Sequence, residues 1–113
     1  MLSVRVALAA AASSVLGAQL AFAAAAENGK RVFMKAGCWQ CHGTVGQGGA
    51  AGPRIAPDPL PYEGFAAFVR TTNRAMPPYR EAVLSDGDLT DVHAYLASIP
   101  KPPAADSLPL LKP

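Results

Sequence analysis

The run MKAGCWQCHG, residues 34–43, contains Cys38-Trp39-Gln40-Cys41-His42, and with it both cysteines of a 113-residue chain. Cysteines at i and i+3 of a helical turn present two sulfurs on one side, and the histidine behind them adds an imidazole at the same place. Upstream, Gly29, Val32, Phe33 and Ala36 recur on one helical face, while Lys30, Arg31 and Lys35 lie elsewhere. A first helix is predicted to end near the cysteines. Downstream, GTVGQGGAAGPRIAPDPLP is dense in Gly and Pro and reads as a long loop of the kind that wraps something functional.

Beyond that loop, YEGFAAFVRTTN sets Phe65, Phe68 and Val69 on one face of a short helix, which must end before RAMPPYR because two prolines forbid continuation. The last helix has the clearest signals. Ser85 with Asp88 three residues on resembles a capping box, Asp86 and Asp88 suit a helix N-terminus, and Leu89, Val92, Leu96 and Ile99 form one apolar stripe before Pro100. The remainder, PKPPAADSLPLLKP, is too proline-rich for helix or central strand and is expected to be an extended tail. No run alternates convincingly as a strand. The fold class expected is all-α, one small domain of three or more helices and long loops, with few core aliphatics and room for a prosthetic group to complete the core.

The first residues are of another kind. MLSVRVALAAAASSVLGAQLAFAAAA carries one charge, Arg5, then a long Ala/Leu/Val run and the small-residue triplet Ala21-Phe22-Ala23. Residues 1–23 read as a secretory signal peptide, with a second triplet extending the possible cut to residue 26. The competing reading is a retained membrane anchor, since residues 6–26 carry no charge, although alanine and the polar interruptions make the stretch weakly apolar. The organisation expected is a leader at 1–23, a domain at 27–99 and a proline-rich tail at 100–113. Ten Lys and Arg oppose eight Asp and Glu, and loss of Arg5 with the leader leaves nine against eight. With no basic run and no aromatic-basic interleaving, nucleic acid is not an expected partner. Export to the periplasm would carry two thiols into an oxidising compartment unless chemistry captures them.

C-x-x-C-H is the spacing of covalent haem c attachment, in which the two sulfurs form thioethers and the histidine becomes the proximal iron ligand. A structural zinc site would need two more ligands, with His93 the only other histidine; a thioredoxin-like pair would need a βαβ context; a short-loop disulfide is a third alternative. For the sixth iron position, Met76 stands in a proline-stiffened loop and not on an apolar helix face. Its thioether would raise the reduction potential. Met34 lies on the attachment side, and His93, beside the apolar stripe of the last helix, is the other candidate, better read as a boundary residue.

From Gly29 to Ile99 the chain resembles the class I monohaem cytochromes c. Gly29 and Phe33 match the small and aromatic residues of the family's N-terminal helix, DVHAYL with Tyr95 and Leu96 matches its C-terminal helix, and Gly52-Pro53 matches the pair that follows the haem motif. The resemblance implies a cytochrome c fold around one covalent haem c, a close helix crossing at Gly29, and a Pro53 carbonyl that accepts the second N–H of the proximal histidine. The cofactor-binding set is then Cys38, Cys41, His42, Pro53 and Met76, with His42 and Met76 on the metal. The segment between Pro53 and Met76 is shorter than in mitochondrial forms, which leaves Arg54, Tyr62 and Arg70 as candidates for the haem propionates.

A six-coordinate haem wrapped in apolar side chains suits a one-electron carrier that needs no substrate pocket. Arg74, Arg80 and Lys35 suggest a weakly basic rim to steer an acidic redox partner such as a dehydrogenase or terminal oxidase. The alternatives are a sensor or peroxidase with a displaceable sixth ligand, or a dedicated cytochrome subunit docked through the tail leucines Leu108, Leu110 and Leu111. Contact with a membrane is expected only if the N-terminal segment is retained.

Overall fold

The computed structural model describes residues 2–111, with side chains described for residues 15–110. Among the described residues the elements are four α-helices: α1 (Leu2–Lys35), α2 (Trp39–His42), α3 (Tyr62–Thr71) and α4 (Asp86–Ser98), followed by two three-residue 3-10 turns. No strand occurs among them. The chain is therefore all-α, as the periodicities require.

Helix α1 is continuous across the boundary read between leader and domain. Arg5 and the first apolar half of the leader lie outside the residues whose side chains are described, as do Leu111, Lys112 and Pro113 at the other end. Among the described residues no helix is long and apolar enough to cross a membrane.

The end of α1 is specified by one glycine. Gly37 has φ of 82°, its N–H donates to the Met34 carbonyl at 3.3 Å, and the Cys38 N–H donates to the Phe33 carbonyl at 3.2 Å. This pair of bonds is a Schellman motif, which satisfies the last carbonyls of the helix and reverses the chain into the cysteine turn. The sequence reading places the helix end correctly but overlooks Gly37 as its cause.

Helices α1 and α4 cross, and they form the frame of the domain. Phe33 is fully buried and meets Tyr95 with ring centroids 5.5 Å apart. A Cβ at Gly29 would run into the Asp91 carbonyl and lie 2.9 Å from the Tyr95 Cβ, so only glycine lets the two backbones approach this closely. Beside the crossing, the Asn28 amide donates to the Asp91 carboxylate at 2.6 Å, and Arg31 donates to the Asn28 side-chain oxygen at 2.6 Å. Val32, Val69, Leu84, Leu89, Val92 and Leu96 complete a small apolar core.

Helix α4 begins as expected. The Asp88 N–H donates to Ser85 Oγ at 3.1 Å, which satisfies one of the free donors of the first turn. Ile99 closes the apolar stripe but stands outside the helix as its C-terminal cap. The tail departs from the expectation of a simple extended strap. Two short 3-10 turns, Ala105–Ser107 and Pro109–Leu111, form locally, the first tied by the Ser107 hydroxyl donating to the Ala104 carbonyl at 2.6 Å. Proline fixes φ near the value such turns use, so a proline-rich segment can make them although it cannot sustain an α-helix.

Candidate haem site

The site is built where the cysteine turn, the Gly/Pro loop and the loop after α3 converge. Helix α2 is a single turn whose histidine is buried and whose second cysteine is exposed. Immediately after it, Gly43 and Gly46 adopt φ of 79° and 70°, and the Gly48 N–H returns to donate to the His42 carbonyl at 2.7 Å. The Gly46 carbonyl accepts from the N–H groups of both Ile55 and Ala56, at 2.8 and 3.0 Å, which folds the loop back on itself. A Cβ at Gly46 would sit 2.9 Å from that of Ala56, so the fold-back depends on glycine there.

This fold-back delivers Pro53 to the histidine. The Pro53 carbonyl lies 2.8 Å from His42 Nδ1, the contact the family resemblance implies. With Nδ1–H donating to that carbonyl, the ring is held in one orientation and Nε2 is the nitrogen left to bind a metal. Gly52, next to it, packs against Cys41 so closely that a Cβ would lie 2.9 Å from the Cys41 carbonyl oxygen. The glycine of the Gly-Pro pair thus allows the approach, and the proline supplies the acceptor.

His42, Pro53, Cys38 and Met76 all line one cavity of about 340 Å³. Its walls are overwhelmingly apolar, with Ile55, Leu60, Phe65, Phe68, Leu89 and Leu96 among them, and the charged side chains lining it among the described residues are Arg54 and Asp58, both exposed. The volume falls within the range of cofactor sites, which are mostly apolar with a few placed polar groups. Leu60 and Phe68 remain 61% and 45% exposed although they face the cavity, and a flat apolar group seated there would cover them. Among the described residues no group of three or more His, Cys, Asp or Glu is placed to hold a metal ion. His42 and Met76 line the same apolar cavity, which suits a flat macrocycle that brings its own metal ligands. The residues present fit a haem.

The thiols do not look like a redox pair. A thioredoxin-like pair needs a βαβ unit, and no strand occurs among the described residues. Burial pushes the Cys38 thiol up, with the neighbouring Cys41 adding to the shift.

Other sequence candidates are placed elsewhere. The His93 ring bonds the Leu60 carbonyl through Nε2 at 2.8 Å and packs against the rings of Tyr62 and Phe65; it is a brace behind the cavity wall and does not line it. Of the three propionate candidates only Arg54 reaches the cavity. The Tyr62 and Thr90 hydroxyls lie 3.0 Å apart, while Arg70 is occupied by two backbone carbonyls and Asp86. Arg54 itself donates to the Pro57 carbonyl at 3.1 Å and is exposed, so a nearby carboxylate can recruit it.

Tyr79 is the site residue that sequence reasoning missed. It lines the cavity, and its hydroxyl donates to the Ala36 carbonyl at 2.9 Å, tying the loop after Met76 to the end of α1. Tyr95 makes the equivalent tie from α4, donating to the Thr44 carbonyl at 2.9 Å. Burial raises both phenols above their ordinary range, and the charge on Glu27 adds to the effect on Tyr95. A phenol that must stay neutral to donate contributes stability that is complete below its unfolded pKa of about 10 and is lost as pH rises through the higher folded value. The protein is therefore expected to lose helical circular dichroism on alkaline titration above about pH 10. Tyr95→Phe should start less stable and lose less across that window, and an unchanged alkaline slope would remove Tyr95 from the explanation.

An apolar cavity closed by crossed terminal helices, with a C-x-x-C-H turn at its edge, defines a small c-type cytochrome domain. The chain belongs to the family described as cytochrome C oxidase, cbb3-type, subunit III, whose model matches residues 24–96. It is a small monohaem domain whose cofactor is a covalently attached haem c, and its chemistry is haem-based electron transfer. No curated protein and no solved structure is similar enough to match it.

Proposed function

We propose that the mature domain is a periplasmic one-electron carrier whose haem is held by Cys38 and Cys41 as thioethers and ligated by His42 and Met76. The observation that carries this reading is the convergence of Cys38, Met76 and a Pro53-oriented His42 on a single apolar cavity. When bound, the haem supplies the ferric/ferrous couple. His42 keeps its ring fixed through Pro53, and Met76 offers a neutral sulfur that favours the ferrous state. Phe65, Phe68 and Leu96 line the cavity, and with the haem seated against them these apolar side chains would keep water from the iron.

Export is supported by the start of the family match at residue 24, directly behind Ala21-Phe22-Ala23. On this reading the leader is removed and the haem is attached after translocation.

The family description, a subunit of a terminal oxidase, favours such an oxidase as electron acceptor. Lys35, Arg74 and Arg80 are exposed, and on this reading they are taken as a basic rim suited to an acidic partner. The same description supports a second reading, in which the domain is a resident subunit and not a diffusing shuttle. Stopped-flow oxidation of the reduced protein by a purified haem–copper oxidase tests the carrier role. The rate is expected to fall with ionic strength. A flat salt profile would discard the rim, and rapid turnover of peroxide without a protein acceptor would replace the carrier with a peroxidase. Co-purification in a stable stoichiometric complex would favour the resident subunit.

A further inference from the structure

The Met76 loop has almost no internal support. Among the described residues, the stretch from Asn73 to Pro78 makes no backbone–backbone hydrogen bond, and its one local tie is the Arg74 N–H to Thr72 Oγ1 at 3.4 Å. Pro77 and Pro78 have no N–H to contribute. The position of Met76 therefore depends on how the two ends of the loop are held. The incoming end is the C-terminus of α3. The outgoing end is Tyr79, whose N–H donates to the Val69 carbonyl at 2.9 Å.

Arg70 holds that outgoing end from three directions. One guanidinium nitrogen, Nη1, donates to the carbonyls of Tyr79 at 2.8 Å and Leu84 at 2.7 Å, and the other, Nη2, donates to the Asp86 carboxylate at 2.6 Å. The three acceptors belong to the loop exit, to the segment before α4 and to the first turn of α4. The Arg70 side chain is only 20% exposed, whereas Asp86 is 71% exposed, so the ion pair is screened and the two carbonyl bonds are the stronger part of the arrangement. A planar fork can serve divergent acceptors at once, which an ammonium on a flexible stem does less well.

We propose that Arg70 is a positioning residue for Met76: its guanidinium pins the exit of the Met76 loop to α3 and to the start of α4 and so keeps the thioether at the cavity. The proposal rests on the reading of Met76 as iron ligand. It assigns Arg70 a role other than a propionate contact, and it makes ligand retention a property of a residue that does not line the cavity.

The test uses the intact haem-loaded protein and imidazole as a competing ligand. The apparent affinity for a ligand that needs the loop open scales with the fraction of molecules in which it is open. Arg70→Gln is expected to raise imidazole affinity of the oxidised protein by about tenfold or more, as loss of even one charge-assisted bond present only in the closed state would do. Arg70→Lys should fall between, and Asp86→Asn should change little. Val32→Ala, which thins the core away from the cavity, is the control: it should lower thermal stability with imidazole affinity unchanged.

If Arg70→Gln raises imidazole affinity no more than Val32→Ala at matched loss of stability, Arg70 is an ordinary structural residue and the proposal is overturned. If Arg70→Gln cannot be matured with haem, Arg70→Lys against Val32→Ala decides by the same comparison. Failure of the underlying reading is distinguishable, because wild type would then lack a sulfur-to-iron charge-transfer band before any variant is compared.

Discussion

Replacing both Cys38 and Cys41 with serine is expected to leave the exported chain without covalent haem and largely unfolded. The buried apolar core is short, and much of the apolar surface provided by the Gly/Pro loop and α3 faces the cavity instead of other side chains. Leu60 and Phe68 show this most clearly, since each keeps about half its surface exposed while lining the cavity. A group that binds the folded state only contributes its binding energy to folding, and a covalent link keeps it at the site whatever its free concentration. Mass spectrometry of the double variant should show the bare polypeptide, and its far-UV circular dichroism should show little helix. Cys41→Ser alone should keep one link and a weakened fold. A helical, cooperatively melting double variant would contradict the dependence of folding on haem.

The second large effect is expected at Gly29, far from the chemistry. Gly29→Val places a branched side chain where even a Cβ collides with the Asp91 carbonyl, and a rigid backbone cannot yield as the end of a long side chain can. Helices α1 and α4 must separate, which disturbs the Phe33–Tyr95 contact and the Asn28–Asp91 hydrogen bond together. Overpacking of this kind costs roughly 3 kcal/mol. For a domain of this size that lowers the Tm by roughly 10–25 °C. The absorption of the reduced haem should change little below the new Tm, because the cysteine turn and the Gly/Pro loop that hold His42 lie outside the crossing, although Phe33, Leu89, Val92 and Leu96 of the two helices also line the cavity. A variant that melts like wild type would mean that the helix crossing tolerates a side chain.

The residues whose chemistry demands a particular type at a particular spacing could be read from the sequence. Cys38, Cys41 and His42 form one such set. Met76 stood out because a methionine directly before two prolines has no apolar helix face to serve, and Pro53 because the Gly52-Pro53 pair recurs in the family resembled. Helix positions followed from apolar spacing and from Ser85, both local signals. Arg70 and Tyr62 were harder to read. A donor-rich side chain near a helix end looks the same whether it will meet a propionate or a backbone carbonyl, and no sequence feature says which carbonyls the loops leave without partners. Tyr79 was hidden for a related reason, since its acceptor is 43 residues away on the end of α1. Gly37 had a local signal, a glycine directly after Lys35 and Ala36 at a helix end, and was legible in principle.

The central claim is that His42 and Met76 hold one haem attached through Cys38 and Cys41. It is tested most directly by the optical spectrum of the mature protein, oxidised and then reduced, before and after carbon monoxide. The expected result is a low-spin spectrum with a sulfur-to-iron charge-transfer band when oxidised and no response to carbon monoxide when reduced. A high-spin spectrum, or ready carbon monoxide binding by the reduced protein, would take Met76 off the iron and contradict the account.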